Sequence, residues 1–363
     1  MKITEVKTYK LRYPLKEKFA NSGIWSTTRH AIVVEVLTSS GLIGWGEGSG
    51  ELSQSAIENH VMGRSPFDYA AIWTALCNDG VSPRAISGLD IALWDLMGKT
   101  LKMPVHQLLG GAVREKIPVY ASGLFCKDRP DVTQMLVDEA KEYVDLGFPA
   151  VKMKIGFGAK YDVKNVAAVR KAIGDDVLFA VDANCAYDVA TAIDVGRKIA
   201  DNDLFWYEEP ITPDDVPGYL EIKRNLPMRL AGAEGLSGRW AFRQLIQQRA
   251  LDIVQPDISI AGGFTECRLI AGMASANYVR VLPHMWGGHI RLAATAHWQA
   301  TLPNTPDVLH PIPSLFEYDM TENALRTDLA KNPIRAKEGL LPVPQEPGLG
   351  IEIDRAVLET YAV

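Results

Sequence analysis

Asp182, Glu208 and Glu234 stand at equal spacing in the 363-residue chain, each where a short apolar run ends: VLFAVDAN (177–184), FWYEEP (205–210) and RLAGAEG (229–235). A carboxylate that closes an apolar strand is a helix cap, an ion-pair partner or a metal ligand. Three of them on successive strands would point into one mouth, where they cannot all stay ionised unless a cation offsets their repulsion. All-oxygen donors favour a hard ion, and Mg²⁺ held by carboxylates, water and substrate is the expected cofactor. Strand alternation sends Glu208 and Glu209 to opposite faces, so Glu208 is read as the ligand and Glu209 as a structural pairing partner. Asn184, two residues beyond Asp182, is expected on the same face, binding substrate or a metal-bound water.

Other apolar runs also end on ionisable residues. AVKMKIG (150–156) sets Lys152 and Lys154 on one face of a strand. Two ammonium groups side by side and partly buried lower each other's proton affinity, which makes a lysine a usable base near neutral pH. Lys154, nearer the strand end, is assigned as the base, and Lys152 as its partner at the substrate carboxylate. LDIVQPD (251–257) ends on Asp257 and YVRVLPH (278–284) on His284. Adjacent strands would bring that carboxylate beside the imidazole, an acid/base pair opposite Lys154. His289 and His297 are read as core histidines.

These residues need a scaffold that brings strand ends together. The runs named above, with IPVYASG (117–123) ahead of them, alternate with segments of helical character such as AKYDVKNVAAVRKAIG. Repeated βαβ units imply a parallel sheet, and seven or eight of them close most economically into a barrel with its chemistry at the C-terminal strand ends. No Gly-rich phosphate fingerprint follows the first unit, which argues against an open doubly wound sheet. VLHPI (308–312) and LFEYD (315–319) compete for the eighth strand. Ahead of the barrel, residues 1–55 alternate like antiparallel strands, and residues 85–111 keep helical spacing until Gly110-Gly111. The expected organisation is an α+β domain over 1–112, a barrel over 113–334, and a turn-rich tail from about 335 to 363 that packs back on the first domain.

Composition narrows the partners. Hydrophobic residues make up 47% and charged ones 23%, a globular balance. The net charge is −6 with no Lys/Arg block, which argues against nucleic acid and anionic membranes as partners. Four cysteines at no metal-like spacing point to reduced thiols. The opening MKITEVKTYKLRYPL lacks the apolar core of a signal peptide, and no apolar run reaches the ~18 residues of a membrane span. A soluble, cytoplasmic protein is expected.

Together these residues resemble the enolase superfamily, and within it the mandelate racemase-like subgroup. The resemblance covers essentially the whole chain: KMK on the second barrel strand, acids on the third to fifth, and the Asp257/His284 dyad on the sixth and seventh. It implies an α/β fold, a modified TIM barrel of (β/α)7β form with an N-terminal α+β capping domain. Two capping loops, about residues 15–30 and 44–54, would close its mouth. The stretches KIGFG, WYEEP, LPHMWGG, EYDMTENALR and EPGLGIEI are similar to acid-sugar enzymes of the subgroup, most nearly the galactarolactone cycloisomerases. The subgroup's racemases carry an electrophilic glutamate just after an AHW stretch; here Ala296-His297-Trp298 is followed by Gln299 and Ala300. That departure argues against racemisation and leaves Glu317, in LFEYD, to hydrogen-bond the substrate carboxylate. Lys18, Asn21 and Trp25 on the first loop, with Lys16, Arg29 and His30 near them, are expected to suit a polyhydroxylated, anionic small molecule.

The chemistry so implied is Mg²⁺-dependent removal of a proton α to a carboxylate, giving an enediolate that expels a β-oxygen. Loss of a lactone ring oxygen makes a cycloisomerase, loss of hydroxide a dehydratase, and reprotonation on the opposite face an epimerase or racemase. A metal-binding barrel without catalysis is the rival from another class; it would keep the three acids but need neither Lys154 nor the dyad. Barrels of this family often self-associate, so a homo-oligomer is expected.

Overall fold

The computed structural model describes residues 1–304, 306 and 308–363. Strands β1 (Ile3–Ala20), β2 (Trp25–Thr38) and β3 (Ile43–Gly48) form an antiparallel sheet. β1 and β2 are one long hairpin, paired from Ile3↔Thr38 to Ala20↔Trp25. The first capping loop, expected over 15–30, is therefore strand except at its tip, residues 21–24. There the Asn21 Oδ1 accepts from the Gly23 and Ile24 N–H groups. The first five of the eleven residues of the second expected loop, 44–48, likewise lie in a strand, β3. The backbone stays extended through both stretches, although the β1–β2 pairing is interrupted between Pro14 and Phe19.

β3 reads IGWGEG, with glycine at every second position. Helix Pro83–Leu101 lays its backbone on that glycine face: a Cβ on Gly46 would stand 1.8 Å from the Gly88 carbonyl oxygen, and one on Gly44 2.3 Å from that of Ala92. Glu47 consequently faces the barrel. Gly46→Ala is expected to destabilise the protein by roughly 3 kcal/mol, because the methyl meets backbone rather than a movable side chain. A lowered chemical-denaturation midpoint at unchanged slope checks this, and an unchanged midpoint would show that the helix can lift off the sheet. The helix begins at Ser82, whose side chain accepts from the Ala85 N–H, and stops at Lys102 in the left-handed conformation. It does not run on to Gly110, because Pro104 follows two residues later and bars helical backbone before it. Only the short helix Val105–Leu108 succeeds it.

β4 (Lys116–Gly123) opens the barrel, and β5 (Cys126–Lys127) turns back to pair with Phe19 and Ala20 of β1. Then β6 (Ala150–Lys154), β7 (Leu178–Asp182), β8 (Leu204–Glu208), β9 (Leu230–Gly232), β10 (Ile253–Val254), β11 (Arg280–Val281) and β12 (Phe316–Asp319) follow, with helices between them. β4 and β6 to β11 lie side by side in chain order, and β12 lies parallel on the other side of β4. That is the strand order of a (β/α) barrel, with LFEYD rather than VLHPI as its last strand. Among the described residues no ladder joins β11 to β12. β13 (Leu340–Pro342) pairs antiparallel with β4, while helix Arg355–Tyr361 returns to β1, where the Val363 N–H meets the Lys10 carbonyl. No helix among the described residues is long and apolar enough to cross a membrane.

Inside the barrel, Tyr120, Ala150, Ala180, Trp206, Ala231, Ile253 and Leu282 make one apolar floor. The Tyr120 and Trp206 rings meet edge to face at 5.2 Å, with the alanines leaving room for them. The next inward positions, two residues on, are Lys152, Asp182 and Glu208. A charged layer therefore rests directly on an aromatic one.

Candidate active site

Lys154 pairs with Asp182, and Asp182 with Glu208, across β6, β7 and β8, so these side chains leave the sheet at one height. Glu234 lies two residues beyond β9 and completes the group: one oxygen each from Asp182, Glu208 and Glu234 lies within 4.8 Å of the others. Just past the strand ends the backbone is bent: Asn184 (φ 43°), Glu209 (φ 38°) and Ala233 (φ 76°) are left-handed without being glycine. Such strain gathers at functional mouths. Here it lets the Asn184 N–H donate to Asp182 Oδ1 at 2.8 Å. It also lets the Glu209 carboxyl accept from the Ala233 and Glu234 N–H groups at 3.1 and 3.3 Å. Glu209 thus clamps the backbone that carries Glu234. Asn184 lies beyond the strand, so a left-handed turn, not alternation from Asp182, sets its side chain; its Oδ1 is buried without a partner.

Lys152 is 1% exposed, with Nζ 2.6 Å from Glu208 and 2.8 Å from Glu317. Lys154 is bonded to Asp182. The expected lowering of the lysines is not what this arrangement produces. Burial does pull the Lys154 ammonium down, but Asp182, with Glu234 and Glu208 behind it, outweighs that and holds it above the ordinary lysine value. Lys152 is held higher still, by Glu208 and Glu317 against its burial. Mutual repulsion of the two ammonium groups is the smaller effect because carboxylates outnumber them. Burial pushes Glu208 up to about 7 despite Lys152, and burial with Glu234, Asp182 and Glu208 pushes Glu209 up to about 8. Burial would raise Glu317 too, but Lys152, His284 and Lys154 hold it well below the usual carboxylate range. Glu317 accepts from Ser122 Oγ at 2.8 Å and from the Met285 N–H at 2.9 Å, which fixes it beside Lys152.

Asp257 and His284 meet, His284 Nδ1 lying 2.6 Å from Asp257 Oδ2. Both stand past the ends of β10 and β11. Asp257 caps helix Ile258–Ala261, accepting from the Ser259 N–H and Oγ at 2.8 Å each. With Nδ1–H donating to Asp257, Nε2 is the imidazole atom left to take or give a proton. It faces Glu234 at 3.3 Å and Glu317 at 3.7 Å. Two residues missing from the sequence reading hold this pair. Arg291 binds the same Asp257 oxygen, and Glu47 accepts from the Gly288 and Arg291 N–H groups at 2.7 and 3.0 Å, pinning the start of helix His289–Thr301. Glu47 carried a signal, as the lone acid of a glycine-rich strand; Arg291 carried none. His289 and His297 are fully buried, and burial pushes them down to about 4 and about 3, as neutral core groups.

The hairpin tip covers the mouth. Ser22 Oγ donates to the carbonyls of Ala183 and Asn184 at 2.7 and 3.3 Å. Phe19 packs on Phe125 at 4.7 Å, and the Lys154 ammonium lies 5.3 Å from the Phe125 ring centre. The polar residues expected here are engaged elsewhere. Lys18 pairs with Asp128 at 2.7 Å, Asn21 closes its own turn, and Trp25 is 44% exposed beside Lys18. Alternation is the reason: Phe19 turns inward, so Lys18 turns out. Nor is the hairpin a free cationic surface, since Lys16 faces Glu322 at 3.7 Å and buried Arg29 is bound to Asp319 at 2.7 Å. A cleft of about 720 Å³ opens on the outer side of Phe19 and Phe125, and neither the three clustered carboxylates nor Lys154 and His284 line it.

The donor set fits a divalent cation. All three donors are carboxylate oxygens, Asp182 and Glu208 are fully buried, and Glu234 Oε2 is buried and makes no hydrogen bond, although His284 Nε2 lies 3.3 Å from it. Two lysines cannot neutralise these three acids together with Glu317.

Residues 3–110 match the family described as mandelate racemase / muconate lactonizing enzyme, N-terminal domain, and residues 135–357 match enolase C-terminal domain-like. The D-galactarolactone cycloisomerase of Agrobacterium fabrum is 36% identical over 373 residues, covering 99% of each chain. The arabinonate dehydratase of Saccharolobus solfataricus is 32% identical over 381 residues, again covering 99% of each. Among solved structures, the 3,6-anhydro-D-galactonate cycloisomerase from Zobellia galactanivorans superimposes with a TM-score of 0.89 at 35% identity, covering 100% of both chains. A capped (β/α) barrel, two family models that together span most of the chain, and relatives 36% and 32% identical over 99% of it make this an enzyme of the mandelate racemase / muconate lactonizing enzyme family within the enolase superfamily.

Proposed function

We propose that this enzyme removes the proton α to the carboxylate of an acid-sugar lactone and eliminates the ring oxygen from the β-carbon, as an aldarolactone cycloisomerase. The observation that carries the reading is the pairing of Lys154 with the Asp257–His284 dyad around one carboxylate cluster. A protein that only held a metal would need the carboxylates alone. Asp182, Glu208 and Glu234 would hold Mg²⁺, which supplies, when bound, positive charge against the second negative charge that develops on the substrate carboxylate.

The chain's own groups do the rest. Lys152, fixed by Glu317 and Glu208, presents an ammonium to the substrate carboxylate, and Ser122 and the Met285 N–H keep Glu317 in place. Lys154 Nζ and His284 Nε2 serve the two faces of the α-carbon, one taking the proton and the other positioned to return one. The C–H electron pair becomes the new C=C bond as the β C–O bond breaks, and the ring oxygen leaves as a carboxylate. Tautomerisation then gives a linear keto acid. A lactone suits this site because its carboxylate leaving group departs without a strong general acid, whereas hydroxide must be protonated as it goes. The names of the two cycloisomerases above support the reading, as does the absence of a carboxylate at Gln299 and Ala300.

A dehydratase acting on open acids is the second reading, favoured by the similarity to the arabinonate dehydratase. Turnover of galactaro- and glucarolactones against galactarate and glucarate, followed by NMR in D₂O, separates the two. The expected result is a kcat/KM at least about a hundredfold higher for a lactone, because its carboxylate leaves with less help from an acid than hydroxide needs. The same preference for an open acid moves the assignment to dehydratase and leaves the metal and proton-transfer roles intact.

A further inference from the structure

Trp286 lies two residues past His284, and its indole Nε1–H is buried without an acceptor. A buried donor left unmade is costly and rare enough to require a reason. The ring is not free to turn toward another partner. The Arg29 guanidinium carbon lies 3.7 Å from its centre, and Arg29 is itself held by Asp319 and Thr321 at 2.7 and 2.6 Å. Phe19 meets the indole edge-on at 6.3 Å and Phe125 lies at 6.4 Å, the same Phe125 that faces the Lys154 ammonium. The indole therefore packs on Phe125, the ring that faces the Lys154 ammonium, two residues along the chain from His284, with its orientation fixed by packing. Nothing in the reaction described above uses it.

We propose that Trp286 is a specificity-determining residue: its Nε1–H donates a hydrogen bond to a hydroxyl or ring oxygen of the substrate. A rigid donor at one point accepts only the stereoisomer that brings an oxygen to it. A site built around such a bond discriminates strongly against analogues that lack the oxygen, because the donor is then buried unpaired. This inference rests on the acid-sugar reading, since it requires a polyhydroxylated substrate.

The test combines the enzyme with its substrate. The best acid-sugar substrate is compared with a series of analogues, each lacking one hydroxyl outside the reacting α- and β-carbons. Wild type is measured beside Trp286→Phe and beside enzyme carrying 3-benzothienylalanine at position 286, where sulfur replaces the N–H and ring shape is kept. The expected result is a 10- to 100-fold loss of kcat/KM for the parent substrate with the benzothienyl enzyme. One analogue should already be that poor for wild type and lose nothing further in the variant. A loss of equal size across the whole series, or no loss in the benzothienyl enzyme, overturns the assignment. Should both variants fold poorly, wild type alone decides: an analogue series without any 10-fold loss refutes a hydroxyl partner, and a lactone analogue with the ring oxygen replaced by methylene, which has no leaving group and is therefore read as a competitive inhibitor, refutes a ring-oxygen partner if it binds within 10-fold of the lactone. Wild type that turns over no acid sugar overturns the proposed function itself, and this inference falls with it.

Discussion

Lys154→Ala and His284→Asn should each lower kcat by at least about a thousandfold, the loss expected when a positioned proton-transfer group is removed. The two variants should then differ in what they retain. If Lys154 Nζ and His284 Nε2 address opposite faces of the α-carbon, one variant keeps α-proton exchange in D₂O with a substrate of one configuration, while the other loses it. Lys154 lies beside Asp182 on β6 and His284 is oriented by Asp257 past β11, so the groups approach from different strands. Asp257→Asn should cost less than His284→Asn, because Arg291 would still contact the altered side chain and Nε2 would remain in place. Exchange undiminished in both the Lys154 and the His284 variants, with every substrate, would show that neither is the base.

Chelation should abolish turnover, and readdition of Mg²⁺ should restore it. The geometry predicts this because Asp182, Glu208 and Glu234 bring three oxygens within 4.8 Å, and two lysines are already shared among them and Glu317. Binding can be read apart from activity. A cation bound only by the folded protein raises stability by ~2.7 kcal/mol at a hundred times its Kd, so Mg²⁺ should raise Tm. Glu208→Gln should remove most of that rise and weaken the cation by more than the 10- to 100-fold typical of residues that merely support a ligand. Full activity after exhaustive chelation, or an Mg²⁺-dependent Tm rise unchanged in Glu208→Gln, would remove the metal from the account.

Neither experiment depends on the hairpin tip, where reading from residues alone went furthest astray. The strand-end cluster was legible because its placement is periodic. Each βα unit repeats, the chemistry of a barrel lies at one end of its strands, and an ionisable residue closing an apolar run stands out against the repeat. Asp182, Glu208, Lys152 and Lys154 were thus placed by position along their own strands, and Asp257 and His284 by the adjacency of successive units. The hairpin offered no such repeat. Lys18, Asn21 and Trp25 looked available because type and loop position were all that could be weighed. Lys18's partner, Asp128, follows from where β1 and β5 meet, and Asn21's, the Gly23 and Ile24 N–H groups, from the turn that joins β1 to β2.

The sign of the lysine shifts lay beyond the chain's local pattern for a related reason. Two lysines on one strand face imply repulsion, but the outcome depends on how many carboxylates the neighbouring strands bring within a few ångströms, and Coulomb energies are set by those distances and by burial. Glu209's hold on the Glu234 backbone, Arg291's hold on Asp257 and the Arg29 stack on Trp286 are contacts between residues far apart in the chain or on turned backbone. Periodicity along one strand says which side chains point inward. It does not say which of them touch, because that is decided by the register between strands and by the packing of one unit on another.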